Sequence, residues 1–273
     1  MNSMQSTISY IHAISFVAPG LPDWQSTRTV LRGEAGYQPA ELATYQPDLL
    51  PPNERRRASS TVRMAFRIAE ALTRNASVNA DKLACVFSSS DGDLAIAQRI
   101  CNALSETARL VSPTDFHNSV HNAPAGYWSI AANAKGPSTA IAAFDYSFAA
   151  GLLEAHGMVQ VEQQPTLLAV YDVPAPMPLH ASRPLSIAAG VGLLLTPDPV
   201  PDTMGSIQIA IGNGIGAKCS NPALETLRWN NPAARALPLL QAIANQTSGT
   251  ISIELDKQHC VHIALTMMAA ECA

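Results

Sequence analysis

The sequence predicts an α/β fold with a mixed, mostly parallel five-stranded sheet between helices. Residues 83–87 (LACVF) form a short, uninterrupted apolar run typical of a buried parallel strand. Strand-like and helix-like segments alternate along the chain, and this order produces βαβ units with right-handed crossovers. Hydrophobic residues make up 47% of the 273 residues and charged residues 14%. The chain therefore has enough apolar side chains to fill a sizeable core.

Apolar runs that end at turn residues define the individual strands. The five strongest are residues 7–17, 83–87, 138–144, 166–174 and 186–197. Weaker runs predict one strand at 206–214 and one or two strands within 249–268. Helical spacing predicts helices at 54–76, 94–106 and 231–246, and another that ends within 129–134. Residues 20–53, rich in Pro, Gly and polar residues, are expected to form a long irregular segment.

Composition excludes several classes of partner. The net charge is −4, and no basic stripe is present, so the chain is not expected to bind nucleic acid. The longest apolar runs are too short to span a bilayer. The five cysteines are scattered and form no CxxC pair, which indicates free thiols in a reducing compartment. We therefore expect a cytoplasmic protein that needs no membrane, metal or cofactor.

Residues 112–157 contain the most informative junction in the chain. A small-residue strand, 138–144, enters an apolar helix at Phe144-Asp145-Tyr146, where many α/β enzymes carry a nucleophile. Asp145 is expected to cap a helix that runs to His156 and stops at Gly157. A hydrolase triad is an alternative.

That triad would combine Asp145 with His121 and either Ser119 or Ser147. The sequence lacks the GxSxG motif of such hydrolases, which argues against this alternative.

Other motifs have simpler explanations. The glycines at 212–216 suggest a phosphate cradle, but their spacing fits a plain turn better. Asp91-Gly92-Asp93 suggests a metal loop, although helix capping explains it. His259-Cys260-His262 gives only a weak metal signal, and Arg55-Arg56-Arg57 fits a solvated face or a partner contact.

The order of several short motifs resembles the β-ketoacyl synthase family. These motifs are Ser112-Pro113, the NAPAG of residues 122–126, Ser129-Ile130 and the KGPS of residues 135–138, followed by the small-residue strand. In detail, SVHNAPAGYWSIA, DYSFAAGLLEA and VYDVP look most like short chain-length-factor-like proteins of bacterial aryl polyene biosynthesis. The resemblance covers residues 7–197 and implies the N-terminal half of a thiolase fold. Residues 1–273 would form one such domain, with 198–273 as its divergent C-terminal extension.

The resemblance also implies that this chain has lost its catalytic residue. Asp145 stands where the family carries a nucleophilic cysteine, and a carboxylate cannot form the stable thioester that acyl transfer needs. The family's second half supplies two catalytic histidines. His259 and His262 are the only histidines in the tail, and in a strand they would project to opposite faces. We therefore expect a non-catalytic subunit.

The partner implied by the resemblance is a full-length β-ketoacyl synthase, with acyl carrier protein involved indirectly. The chain would shape the partner's acyl tunnel in polyene or polyketide biosynthesis. The edge strand 138–144 would pair with its equivalent in the partner, and half a thiolase fold would leave a large apolar face to hide. The expected tunnel or interface residues are Phe116, His117, Val120, His121, Asn122, Tyr127, Trp128, Ser138, Ile141 and Phe144. The alternatives are a stand-alone acyltransferase or hydrolase that uses Asp145 and His121, and a homodimeric scaffold.

Overall fold

The computed structural model describes residues 7–268, which fold around one eight-stranded sheet with strand order β3-β2-β4-β5-β1-β6-β8-β7. The strands are β1 (Ser9–Val17), β2 (Ala84–Ser88), β3 (Ser138–Ile141), β4 (Thr166–Asp172), β5 (Ala189–Thr196), β6 (Gly205–Asn213), β7 (Gly249–Glu254) and β8 (His259–Met267). The α/β class is confirmed.

The predicted count of five strands and the mostly parallel direction are wrong. Within residues 7–268 only β2 pairs in parallel, with β3 and β4, and the other five pairings are antiparallel. The reason lies in the connections. The segment between β4 and β5 contains only a 3-10 turn, Leu179–Ala181, and a parallel neighbour needs a longer crossover, usually an α-helix.

Nine α-helices lie within the described residues. They are α1 (Trp24–Leu31), α2 (Pro52–Arg57), α3 (Ser60–Ala76), α4 (Leu94–Ser105), α5 (Pro113–Asn118), α6 (Ala123–Ala131), α7 (Ser147–Glu162), α8 (Pro222–Asn230) and α9 (Leu237–Ala244). The segment predicted to be irregular contains α1. The helix predicted at 54–76 is two helices, because Ser59 caps α3 by accepting a hydrogen bond from the Val62 N–H. The predicted stop at Gly157 is also wrong, since α7 continues to Glu162.

Helix α3 packs on one face of the sheet through its apolar side chains. Phe66, Ile68 and Leu72 are fully buried there. Strand β5 lets the helix come close because it carries glycine beneath it. A Cβ atom on Gly192 would lie 2.5 Å from Leu72 Cδ1 and 2.6 Å from Ile68 Cγ2. These contacts are shorter than van der Waals distances, so glycine at this position sets the spacing between helix and sheet.

Helix α7 covers the opposite face and is buried on more than one side. Its apolar side chains surround the helix, a pattern typical of a helix packed between two layers. One layer is the sheet. The other is the chain segment from Pro232 through α9, whose Ala233, Leu237 and Leu240 belong to the same core. The expectation of a large open apolar face is therefore wrong here, because the chain's own C-terminal part covers it.

Strands β6, β8 and β7 extend the sheet beyond β1. Strand β6 pairs with β1 over Ser9–Ile11 and with β8 along its whole length. Residues 205–267 thus continue the same sheet as the N-terminal strands. Within the described part of the chain, no helix combines the length and apolar character needed to cross a membrane.

Candidate functional site

The strongest candidate site lies at the carboxyl ends of the three parallel strands, the edge where α/β proteins commonly place ligands. Strand β3 turns into α7 through a 3-10 turn at Phe144–Tyr146. Phe144 has φ of +52°, a left-handed conformation that is costly for an aromatic residue. The Ser147 hydroxyl secures the turn by donating to the Phe144 carbonyl (2.7 Å) and accepting from the Ala143 N–H (3.1 Å). The junction is a strained elbow of the kind that holds a nucleophile.

Asp145 does not cap α7, contrary to the sequence prediction. The N-cap position is occupied by Tyr146, and no side chain caps the helix. The Asp145 carboxylate instead accepts a hydrogen bond from Arg183 Nη1 at 2.5 Å, and Arg183 Nε donates to Asp91 at 2.5 Å. The guanidinium also stacks 3.9 Å from the centre of the Phe144 ring. Arg183 therefore closes the elbow by joining two carboxylates and one aromatic ring.

The protonation of Arg183 follows from these contacts. Its side chain is 11% exposed, and burial alone lowers the pKa of the guanidinium. The hydrogen bonds to Asp91 and Asp145 outweigh this effect, so the pKa is raised overall. Asp145 is thus paired with a permanent cation, which makes it a poor candidate for a free base.

Asp172, at the end of β4, is a second buried carboxyl group near this elbow. One of its oxygens accepts hydrogen bonds from the Ser89 hydroxyl (3.0 Å), the Ser90 N–H (2.9 Å) and the Ser90 hydroxyl (2.8 Å). Burial raises the pKa of Asp172 to about 7, and the bonds from Ser90 and Ser89 only partly oppose this shift. Asp172 therefore holds the end of β2 beside the end of β4. The sequence offered no direct signal for this role.

The hydrolase triad is not assembled. His121 Nε2 donates to the Ile141 carbonyl at 2.9 Å. The Ser119 hydroxyl donates to the Phe116 carbonyl at 2.8 Å, and the Ser147 hydroxyl is used within the elbow. Since Asp145 is bound to Arg183, none of these groups forms the serine–histidine–carboxylate chain that the alternative requires.

The cysteines do not supply a replacement nucleophile near the elbow. Burial raises the pKa of Cys85 and of Cys219 to about 12, and it also raises the pKa of Cys260. These thiols therefore stay protonated at neutral pH. Cys101 is exposed on α4, and Cys272 lies outside the described residues.

The remaining motifs have structural roles. Asp93 caps α4 by accepting from the Ile96 N–H at 2.9 Å. His259 pairs with Asp256, whereas His262 bonds to the Ser252 hydroxyl and the Asn213 carbonyl. Across residues 7–268, no group of three or more His, Cys, Asp or Glu side chains is arranged to hold a metal ion.

A groove of about 650 Å³ lies between α2, α5 and α6. Its lining residues are Leu50, Pro51, Glu54, Arg57, Pro113, Thr114, His117, Val120, Asn122, Ala123, Gly126, Tyr127, Ile130 and Ala131. His117, Val120, Asn122 and Tyr127 are among the ten residues expected from the sequence. The rings of His117 and Tyr127 meet edge to face, with centroids 6.0 Å apart. The wall from α2 was not anticipated, because the arginine triplet had suggested only a solvated face.

The other expected residues lie elsewhere. Trp128 is 1% exposed and packs in the core, with its ring centroid 5.4 Å from that of Phe66. Phe116 is 70% exposed and lies outside the groove lining. His121 joins α5 and α6 to the end of β3 through the Ile141 carbonyl.

Strand β3 is an edge strand of the sheet, and its neighbour in the described chain is β2. Ser138 is exposed, and the rest of the strand is partly exposed. Phe144, in the elbow that follows β3, is 55% exposed. The structure therefore presents an unpaired strand edge beside an exposed aromatic ring.

Comparisons with known proteins agree with this architecture. Residues 24–260 match the model of the β-ketoacyl synthase N-terminal domain. The fold is similar to a complex of the ketosynthase ApeO with its chain length factor ApeC from Xenorhabdus doucetiae (20% identity, TM-score 0.71, covering 94% of this chain and 98% of that one). It is also similar to the ishigamide ketosynthase/chain length factor (11% identity, TM-score 0.72, covering 96% and 99%).

A third structure differs in length. This chain covers 49% of ketosynthase twelve from the bacillaene polyketide synthase of Bacillus amyloliquefaciens (14% identity, TM-score 0.58, 82% of this chain). No curated protein is similar enough to match. The structural likenesses, at these identities, establish a thiolase-like fold. Since the family model covers most of the chain, the protein belongs to the β-ketoacyl synthase family, through its N-terminal domain.

Proposed function

We propose that this chain is a non-catalytic, chain-length-factor-like subunit that pairs with a full-length β-ketoacyl synthase. The observation that carries the proposal is the Asp145–Arg183 ion pair at the elbow. Acyl transfer by this family needs a thiolate at the strand-to-helix turn, where backbone N–H groups stabilise the oxyanion. Asp145 stands at the position that the resemblance assigns to that thiolate, and its charge is already neutralised by Arg183.

The need for a partner follows from the edge of the sheet. An unpaired edge strand favours association with another strand, and β3 lacks the lysines or prolines that usually protect such edges. Several large apolar side chains on the segments flanking β3 are exposed, namely Phe116, Val120, Ile130 and Phe144. We infer that this surface, which spans β3, α5, α6 and the elbow, is covered by the synthase.

Chain length supports the same assignment. The matched chains in the ApeO/ApeC and ishigamide structures are covered almost completely by this chain, whereas the bacillaene ketosynthase is covered by half. A catalytic synthase of this family has two similar halves. This chain supplies one, and its residues 198–273 act as a divergent extension that completes the single domain.

The groove between α2, α5 and α6 gives the subunit a means to limit product length. Apolar side chains dominate its walls, and about 650 Å³ suits the end of an elongated acyl chain. A growing chain that reaches the closed end is stopped by steric overlap, since overpacking costs about 1–3 kcal/mol. Val120 and Ile130 are exposed at this groove and suit substitution, whereas Trp128 supports the core beneath it.

The test begins with affinity purification of the tagged chain from its native host. Mass spectrometry should identify a β-ketoacyl synthase with an intact cysteine–histidine–histidine site, recovered in equal amount. The reconstituted pair is then supplied with starter and malonyl groups on carrier protein, and product length is measured by mass. Val120→Trp should shorten the product and Ile130→Ala should lengthen it. Val161→Ala, which removes a 78% exposed side chain outside the groove, is the matched control.

Two results would overturn the proposal. One is acyl transfer or thioester hydrolysis by the chain alone, abolished by Asp145→Asn. The other is a reconstituted pair whose product length is identical for the wild type, Val120→Trp and Ile130→Ala.

A further inference from the structure

Helix α3 carries a polar stripe on the side away from the sheet. Arg63, Arg67, Glu70 and Arg74 are spaced at i, i+4, i+7 and i+11, which places them along one side of the helix. This stripe faces residues 43–51, which have no regular secondary structure and are called here the strap. A chain segment without its own backbone pairing needs other partners for its N–H and C=O groups.

Glu70 is the central contact between the stripe and the strap. It is 3% exposed, and it accepts hydrogen bonds from the Tyr45 hydroxyl, the Asp48 N–H (3.1 Å) and the Leu49 N–H (2.8 Å). Burial and the bond to Glu70 raise the pKa of Tyr45, so its hydroxyl remains a donor. A buried carboxylate is stable only when hydrogen-bonded, and within the described residues every donor to Glu70 belongs to the strap.

Arginine side chains fasten both ends of the strap. Arg63 donates to the Tyr45 carbonyl (3.3 Å), and it also donates to the Arg55 carbonyl (2.9 Å) in α2. Arg55 in turn donates to the Asp48 and Leu50 carbonyls at 3.2 and 2.9 Å. The strap and α2 are therefore held as one unit against α3.

This unit forms one wall of the groove, because Leu50, Pro51, Glu54 and Arg57 all line it. We propose that Glu70 is a positioning residue that fixes this wall, and thereby sets the width of the groove. The inference rests on the proposed function, since width matters for product length only if the groove receives the acyl chain. It assigns length control in part to a residue that does not line the groove.

The test compares Glu70→Leu and Glu70→Gln in the reconstituted synthase pair. The first variant removes all acceptors, and the second keeps one carbonyl oxygen, so it should partly rescue. Amide hydrogen exchange at Asp48 and Leu49 reports the bonds directly, and for Glu70→Leu we expect it to be at least about tenfold faster. Product length should spread toward longer chains for Glu70→Leu, less for Glu70→Gln, and not at all for Glu162→Leu, an exposed glutamate of α7.

Val120→Trp in the same assay separates the two ideas. If Val120→Trp shortens the product but Glu70→Leu leaves its distribution unchanged despite faster exchange, the positioning role is wrong and the proposed function stands. If neither variant changes product length, both are wrong. Unchanged exchange at Asp48 and Leu49 in a folded Glu70→Leu variant also overturns the positioning role.

Discussion

Replacing Arg183 by methionine tests whether Asp145 is a structural partner or a reactive group. Methionine keeps much of the length of the side chain but removes the charge. The change leaves Asp91 and Asp145, whose side chains are 21% and 36% exposed, without their shared cation. It also removes the stacking on Phe144.

The expected cost follows from burial. Breaking a fully buried ion pair costs about 3–5 kcal/mol, and both carboxylates here keep some contact with water. We therefore expect Arg183→Met to lower the free energy of unfolding by about 2–3 kcal/mol, including about 0.5–1 kcal/mol for the lost stacking. Asp145→Asn should cost only about 1 kcal/mol, because Arg183 retains Asp91.

A double-mutant cycle isolates the pair. Urea unfolding of the wild type, both single variants and the double variant should give a coupling of about 1–1.5 kcal/mol between Arg183 and Asp145. The Arg99–Asp115 pair is a matched control, because it is bidentate yet Arg99 is 53% exposed, and it should couple by less than about 1 kcal/mol. Coupling between Arg183 and Asp145 below that of the control would refute the structural role of Asp145.

Three further predictions concern stability, each measured by urea unfolding. Ser77→Gly should stabilise the chain by about 0.5–1 kcal/mol, because Ser77 ends α3 with φ of +52°; a loss of stability would contradict the left-handed assignment. Gly192→Ala should destabilise it by about 1–3 kcal/mol through overlap with Ile68 and Leu72, and a neutral effect would show that α3 is free to move. Asp172 has a pKa of about 7 in the folded chain against an ordinary 3.8, so the folded state retains a proton that the unfolded state has lost. Stability should therefore fall as pH rises between these values, by at most about 1.4 kcal/mol per pH unit, and Asp172→Asn should abolish that slope; parallel pH curves for the two proteins would contradict this.

Local sequence patterns predicted the elements well and their directions poorly. The strands at 7–17, 83–87 and 166–174 lie close to β1, β2 and β4, because apolar runs with turn residues at their ends depend on short-range chemistry. Direction depends on the connection, and the Pro-rich 173–188 segment contained no crossover helix to signal a parallel partner. The result is a sheet with more antiparallel pairings than parallel ones.

The candidate site shows the same division between local and distant information. The elbow at Phe144–Tyr146 was found because a small-residue strand meets an apolar helix there. The role of Asp145 was misjudged, since its partner Arg183 is 38 residues further along the chain. The α2 wall of the groove was missed for the same reason, because it depends on contacts between Glu70 and the strap rather than on a motif.

The C-terminal part of the chain explains why a half-length synthase fold needs a partner on one particular side. Helix α7 is apolar all round, and in isolation half a fold would expose it. Ala233, Leu237 and Leu240 bury it instead, so that face needs no other protein. The unsatisfied surface is then the β3 edge with its flanking exposed side chains. Because the same α5 and α6 that border this surface also form the groove, a synthase bound at β3 would place its growing chain beside the groove.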